Sequence, residues 1–129
     1  MIERDNSANI SVDGIMVAEL AKKFGTPSYF YSEDQLKTNI TKLKTTLSKY
    51  FGENYRIQYA VKANTNPHIL QVIKDMGLNC DCSSPFEVKF SEKVDFPMTS
   101  STYTGNFETQ EDFKIALDAG MIINLDDYK

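Results

Sequence analysis

Lys62 is the residue around which chemistry can be built. It closes the stretch Tyr59-Ala-Val-Lys-Ala-Asn64, in which alternation puts Ile57, Tyr59 and Val61 on one face of a strand and Gln58, Ala60 and Lys62 on the other. In a parallel barrel that second face points inward, and the C-terminal end of the strand is where active sites collect. A lysine held there is partly desolvated, which favours its neutral amine. A neutral amine attacks an aldehyde and forms a Schiff base, and Ala60 leaves room beside it. The plain alternative is a strand-end lysine that snorkels to solvent. Cys80 and Cys82 share one face of the next strand, with Asp81 on the other. Two positions apart on a strand is poor disulfide geometry, and metal ligation needs more partners, so the two thiols read as small core residues and no metal site is expected. His68, the single histidine, falls in the first turn of a helix and reads as a surface residue. No nucleophile–histidine–acid arrangement can be built on it.

The elements that must hold Lys62 follow from punctuation and period. Ile10 to Ile15 reads as a short strand, followed by a helix with Val17, Leu20, Ala21 and Phe24 on one face and Gly25 as its stop. After Pro27, the aromatic run Ser28 to Tyr31 reads as a strand. Ser32 to Gln35 is a capping-box sequence opening the clearest helix, whose stripe is Leu36, Ile40, Leu43, Leu47 and Tyr50. Past Gly52 comes the lysine strand. Asn66-Pro67 then starts a helix through Ile69, Leu70, Val72, Ile73 and Met76 to Gly77. Leu78 to Ser83 is a strand, and Ser84 to Glu87 a second capping box before a helix faced by Phe86, Phe90 and Val94. Ser101 to Thr104 is a weaker strand ending at Gly105. Thr109 caps a helix through Phe113, Ala116 and Leu117 to Gly120, and Met121 to Leu125 is a last strand before Asp126 and Asp127. Strand and helix alternate every 20–25 residues or so, which implies an α/β fold with a parallel sheet. An open doubly wound sheet and a closed barrel share this rhythm.

Composition narrows the class. The 129 residues carry 14 Lys+Arg against 18 Asp+Glu, a net charge of −4, which argues against nucleic acid or an anionic membrane as the main partner. No apolar run approaches the ~20 residues a membrane helix needs, and the polar first residues do not read as a secretory signal. With two cysteines and no disulfide framework, a cytoplasmic location is expected. Asn9 and Asn39 head glycosylation-type triplets that read as chance. The six glycines are dispersed, so no phosphate-cradling loop is present. The chain stops just after an apolar strand with no covering helix, which reads as the front part of a longer protein.

Tyr59-Ala-Val-Lys-Ala-Asn64 resembles the cofactor-lysine motif of the pyridoxal-phosphate decarboxylases with an alanine-racemase-type barrel. The resemblance extends through Phe24-Gly-Thr-Pro-Ser-Tyr-Phe-Tyr-Ser32, Asn66-Pro-His-Ile-Leu70, Asp81-Cys-Ser-Ser-Pro85 with Glu87, Tyr103-Thr-Gly-Asn106 and Gly120-Met-Ile-Ile-Asn124, in the family's order, from about Val12 onward. The branch acting on diaminopimelate fits best, through the opening segment and the Thr-Gly-Asn turn. Ornithine, arginine and carboxynorspermidine decarboxylases, a racemase of the same fold or a non-catalytic pyridoxal-phosphate-binding relative are the alternatives. The resemblance implies a partial (β/α)8 barrel, about half of it present. Residues 32–129 form its first part, and residues 1–31 are a segment that in the family associates with a C-terminal β domain. It implies pyridoxal 5′-phosphate on Lys62, with Ala60 lining the pocket and Asp81 tuning the charge on the lysine nitrogen. Asn106 either faces the pocket or serves the turn beside Gly105. A small amino-acid substrate and a homodimer are the implied partners. The family's phosphate loop, ring-stacking histidine and β domain have no counterpart among these residues, so weak cofactor binding and no turnover are expected of this chain alone. Asp95 stands where the family has glycine, and Ser101 and Thr102 where its strand is more apolar, which should weaken the third strand.

Overall fold

The computed structural model describes residues 1–6 and 9–125; Asp126 and Asp127 lie outside them. The chain divides into two compact units, Met1–Tyr50 and Phe51–Lys129.

The first unit holds a three-stranded antiparallel sheet, β1 (Ile2–Arg4), β2 (Ile10–Val12) and β3 (Ile15–Met16), in that order. The single strand expected over residues 10–15 is thus a hairpin. Asp13 (φ 51°) and Gly14 (φ 79°) both take positive φ, the requirement of a two-residue turn that follows the strand twist, and Asp-Gly is a favoured pair for it. Helix α1 (Val17–Phe24) follows and stops at Gly25 as expected. Phe24 is exposed and tilts against Phe30, ring centroids 6.0 Å apart. No strand forms at Ser28–Tyr31: among the described residues it has no ladder partner, and Tyr29 and Tyr31 are exposed. Helix α2 (Glu33–Phe51) begins where Ser32 Oγ accepts from Gln35 N at 2.9 Å and donates to Asp13 Oδ1 at 2.6 Å. The reciprocal bond of a capping box, from Ser32 N to the Gln35 side-chain oxygen, is not formed among the described residues; Gln35 Nε2 donates to Asn39 Oδ1. Of the apolar stripe only Ile40 is buried.

The second unit is a four-stranded parallel sheet, β4 (Gln58–Ala60), β5 (Asn79–Cys82), β6 (Thr102–Tyr103) and β7 (Ile122–Ile123). Helices α3 (Pro67–Asp75), α4 (Pro85–Lys93) and α5 (Gln110–Asp118) connect successive strands. The spatial order equals the chain order, so no reversal marks a doubly wound sheet, and the arrangement is the first part of a (β/α)8 barrel.

Both ends of each helix are set by sequence. Asn66 Oδ1 accepts from His68 N and Ile69 N, Ser84 Oγ accepts from Glu87 N, and Thr109 makes a full capping box with Asp112. Glu87 reaches one residue further back, accepting from Ser83 N at 2.7 Å. The C-terminal ends repeat one motif. Gly77, Asp95 and Gly120 take positive φ, and the next residue donates back five positions: Leu78 to Ile73 O, Phe96 to Ser91 O and Met121 to Ala116 O. Leu78, Phe96 and Met121 are each buried. Asp95 therefore occupies a glycine position with a side chain that disfavours it (φ 61°). Asp95→Gly is expected to stabilise the fold by about 1 kcal/mol, read as a higher denaturant midpoint at unchanged slope.

The core lies between the sheet and these helices. Val61, Leu70, Ile73, Cys80, Cys82, Val88, Ser91, Ser101, Tyr103 and Ala116 are fully buried. The buried side of α4 is Glu87, Val88 and Ser91 rather than the expected Phe86 and Phe90. Those two rings stack on each other (5.8 Å, 8°), with Phe86 exposed. Ser101 does not weaken the third strand: its hydroxyl accepts from Cys80 N and donates to Pro97 O, each at 3.1 Å. Among the described residues, no helix is long and apolar enough to cross a membrane.

Candidate active site

Register places the chemistry. Gln58 pairs with Asn79, and Ala60 with Asp81, which in turn pairs with Thr102 and Thr102 with Ile122. Paired residues of a parallel sheet share a face, so Gln58, Ala60, Asn79, Asp81, Thr102 and Ile122 form one surface, opposite the buried Cys80, Cys82 and Tyr103. A sheet with helices on both faces would be apolar on both; apart from Ala60 and Ile122 this surface is polar. Near the strand starts, Gln58 Nε2 donates to Ser100 O (3.0 Å) and Ser100 Oγ donates to Asn79 Oδ1 (2.9 Å). Near the strand ends, Thr102 Oγ1 and Thr104 Oγ1 each donate to Asp81 Oδ1 at 2.8 Å. Asn124 Nδ2 reaches Thr104 Oγ1 at 3.4 Å. Asp81 Oδ2 takes no hydrogen bond among the described residues.

Lys62 sits at the same end of the sheet but not on the strand. The β4–β5 ladder stops at Ala60, and Val61–Ala63 coil into a 3-10 turn that buries Val61 completely. Lys62 itself is exposed. The expected partial desolvation is therefore absent among the described residues, because in the turn the lysine no longer follows the inward alternation of the strand. The turn continues to Asn64, whose Oδ1 accepts from Asn66 N at 2.9 Å, leading into the Asn66 cap of α3. Asn106 is exposed in the segment between β6 and α5, and His68 is exposed in the first turn of α3.

The two cysteines face the helix layer, both fully buried. Their sulfurs are 3.8 Å apart and Cys82 Sγ lies 3.4 Å from Ser91 Oγ. The hydrogen bond to Cys80, with burial, pushes the Cys82 thiol up, so it stays protonated and inert. Sequence reasoning missed the role of Thr102 and Thr104. The signal was available: both alternate onto the Asp81 face of a neighbouring strand, where a hydroxyl reaches a carboxylate.

The parallel strands in chain order, a lysine at their C-terminal end and a carboxylate on the adjoining strand define the first part of a (β/α)8 barrel. The family model for the pyridoxal-dependent decarboxylase pyridoxal binding domain matches residues 34–129, and the chain belongs to that family. Among its relatives, the diaminopimelate decarboxylase of Thermoplasma acidophilum is 31% identical over 124 residues, covering 96% of this chain and 30% of that protein. That of Methanothermobacter thermautotrophicus is 30% identical over 125 residues, covering 97% and 29%. The crystal structure of diaminopimelate decarboxylase from M. jannaschii in co-complex with L-lysine superposes with a TM-score of 0.84 at 28% identity, covering 97% of this chain and 30% of that one. The chain thus spans about 30% of the length of the relatives it matches.

Family membership brings pyridoxal phosphate as cofactor, and the residues present fit it. An aldehyde would need an accessible primary amine, and Lys62 is exposed; a nitrogen cation there would need a counter-charge, and Asp81, whose Oδ2 takes no hydrogen bond among the described residues, lies on the adjacent strand; Ala60, the register partner of Asp81, is small.

Proposed function

We propose that this chain is the lysine-bearing part of a pyridoxal-phosphate-dependent decarboxylase acting on meso-diaminopimelate to give L-lysine and carbon dioxide. The placement of Lys62 in the turn that follows β4, with Asp81 on the adjacent strand in register with Ala60, is the observation that carries the reading. The substrate assignment is supported by the diaminopimelate decarboxylases among the relatives and by the L-lysine bound to one of them. Lys62 binds the cofactor covalently and later carries a proton to the product carbon. Asp81 holds negative charge beside the nitrogen, and Ala60 keeps the space between them open. When bound, the cofactor supplies an electron sink for the pair released as carbon dioxide departs. Residues 1–31 associate with a β domain, and the working enzyme is a cytoplasmic homodimer whose partners are small amino acids.

The test is direct. The protein is incubated with pyridoxal phosphate, reduced with borohydride and mapped by peptide mass. Label is expected at Lys62 well above the other lysines. Uniform labelling across surface lysines would remove the basis for the reading.

A further inference from the structure

Asp81 is gripped by two hydroxyls from the β6 segment, both on its own face of the sheet. Thr102 lies beside it in register and Thr104 two residues on, and both hydroxyls end on the same oxygen, Oδ1. A hydroxyl has one proton to give. Thr104 Oγ1 gives its proton to the accepting Asp81 Oδ1 and accepts from Asn124 Nδ2 through a lone pair, so the string Asn124→Thr104→Asp81←Thr102 links the segments of three neighbouring strands.

These bonds are not needed to satisfy the backbone. Thr104 N donates to Cys82 O, and the structural tie between β5 and β6 on the helix side is made by Ser101. Asp81 is half-buried, so water could serve a carboxylate with no particular orientation. Two fixed donors on one oxygen instead restrict the orientation of the group and, among the described residues, leave Oδ2 without a donor.

We infer that Thr102 and Thr104 are positioning residues for the amine chemistry of Lys62, clamping Asp81 by Oδ1 so that Oδ2 is reserved for the cationic nitrogen formed when the amine captures an aldehyde. The inference rests on the assignment of Lys62 as the pyridoxal-binding amine. In that capture the amine nitrogen bonds the aldehyde carbon and water leaves. In the assay, hydride from borohydride adds to the carbon and makes the bond permanent.

The test is the rate of borohydride-trapped labelling at Lys62 by pyridoxal phosphate, followed across pH in the purified protein. The Thr102→Val/Thr104→Val double variant is expected to label Lys62 about three- to tenfold more slowly, and Thr104→Ser to stay within about twofold of wild type. Asp81→Asn, which keeps shape, is expected to slow labelling at least as much. Adding the valines to Asp81→Asn is expected to change nothing further, since the threonines act only through that carboxylate. Should the valine variants melt early, Asp81→Asn and the serine variant carry the comparison alone. Wild-type labelling in the folded double-valine variant overturns the inference, as does full additivity with Asp81→Asn, a serine variant as slow as the valine one, or wild-type labelling in Asp81→Asn. If the wild-type protein itself does not favour Lys62, the functional assignment fails first and the clamp falls with it.

Discussion

Lys62→Ala is expected to leave the protein folded, to end specific capture of pyridoxal phosphate and, in the full-length protein, to lower the proposed decarboxylation by at least about 10²–10⁴-fold. The folding half follows from position. Lys62 is exposed in a turn, its side chain makes no hydrogen bond or ion pair among the described residues, and exposed substitutions away from caps and core change stability by no more than about 0.5 kcal/mol. The chemical half follows from what the side chain is. Lysine offers a primary amine that can lose its proton; arginine keeps the charge and most of the reach but stays protonated and is no nucleophile. Lys62→Arg is therefore expected to be as inactive as Lys62→Ala. Near-wild-type turnover in either variant would show that the amine is not the cofactor anchor. Equal melting temperatures for the three proteins would assign the loss to chemistry.

The second large effect belongs to Tyr103. Its side chain is fully buried, its ring meets Phe113 edge-on (6.3 Å, 70°), and its hydroxyl donates to Glu108 at 2.7 Å. Gly105 permits this approach, since a Cβ there would collide with the Glu108 side chain. Tyr103→Ala removes a whole buried ring and is expected to cost about 3–5 kcal/mol, a large share of the ~5–15 kcal/mol that holds a domain folded. Tyr103→Phe keeps the ring and strands the carboxylate, costing about 1–2 kcal/mol. Burial, then the neighbouring Glu108, push the Tyr103 phenol up from its ordinary value near 10. Above that pH the unfolded chain releases the proton while the folded one retains it, so Tyr103 contributes full stability below pH 10 and loses it progressively as pH rises towards its folded value. Denaturant titrations at rising alkaline pH should show a steeper loss for wild type than for Tyr103→Phe. Parallel slopes would mean that the phenol titrates as in a free chain.

The legible part of the fold was the part written in caps. Asn66-Pro67, Ser84-Pro85 and Thr109 fixed the helix starts, and Gly77 and Gly120 two of the stops, because each satisfies backbone groups that nothing else reaches. The family residues around Lys62 and Asp81 were legible as a motif. What was not legible depended on partners distant in sequence. Periodicity extended β4 to Lys62, but the ladder ends at the Ala60–Asp81 pair, where Val61–Ala63 coil into a 3-10 turn. Ser28–Tyr31 has strand composition without a neighbour to pair with. Phe86 and Phe90 have the right spacing for a core face, yet packing against Cys82 selects the smaller Ser91. Ser101 and Thr102 looked like weak points because hydroxyls in a strand are costly only when unbonded, and their acceptors lie on other elements. The Asp13-Gly14 hairpin was written in the sequence and was passed over.

The repeated joint of Leu78, Phe96 and Met121 has a wider consequence. At each, the residue that locks the end of one helix is buried; Leu78 and Met121 directly precede the next strand, and Phe96 leads to it through a 3-10 turn, Met98–Ser100. Changes in length at these joints would misalign everything downstream. The opposite rim is held by hydrophilic turns and hydroxyl contacts, where substitutions disturb chemistry before architecture. The two ends of the sheet can therefore diverge at different rates, one conserving the scaffold and the other free to acquire new specificities.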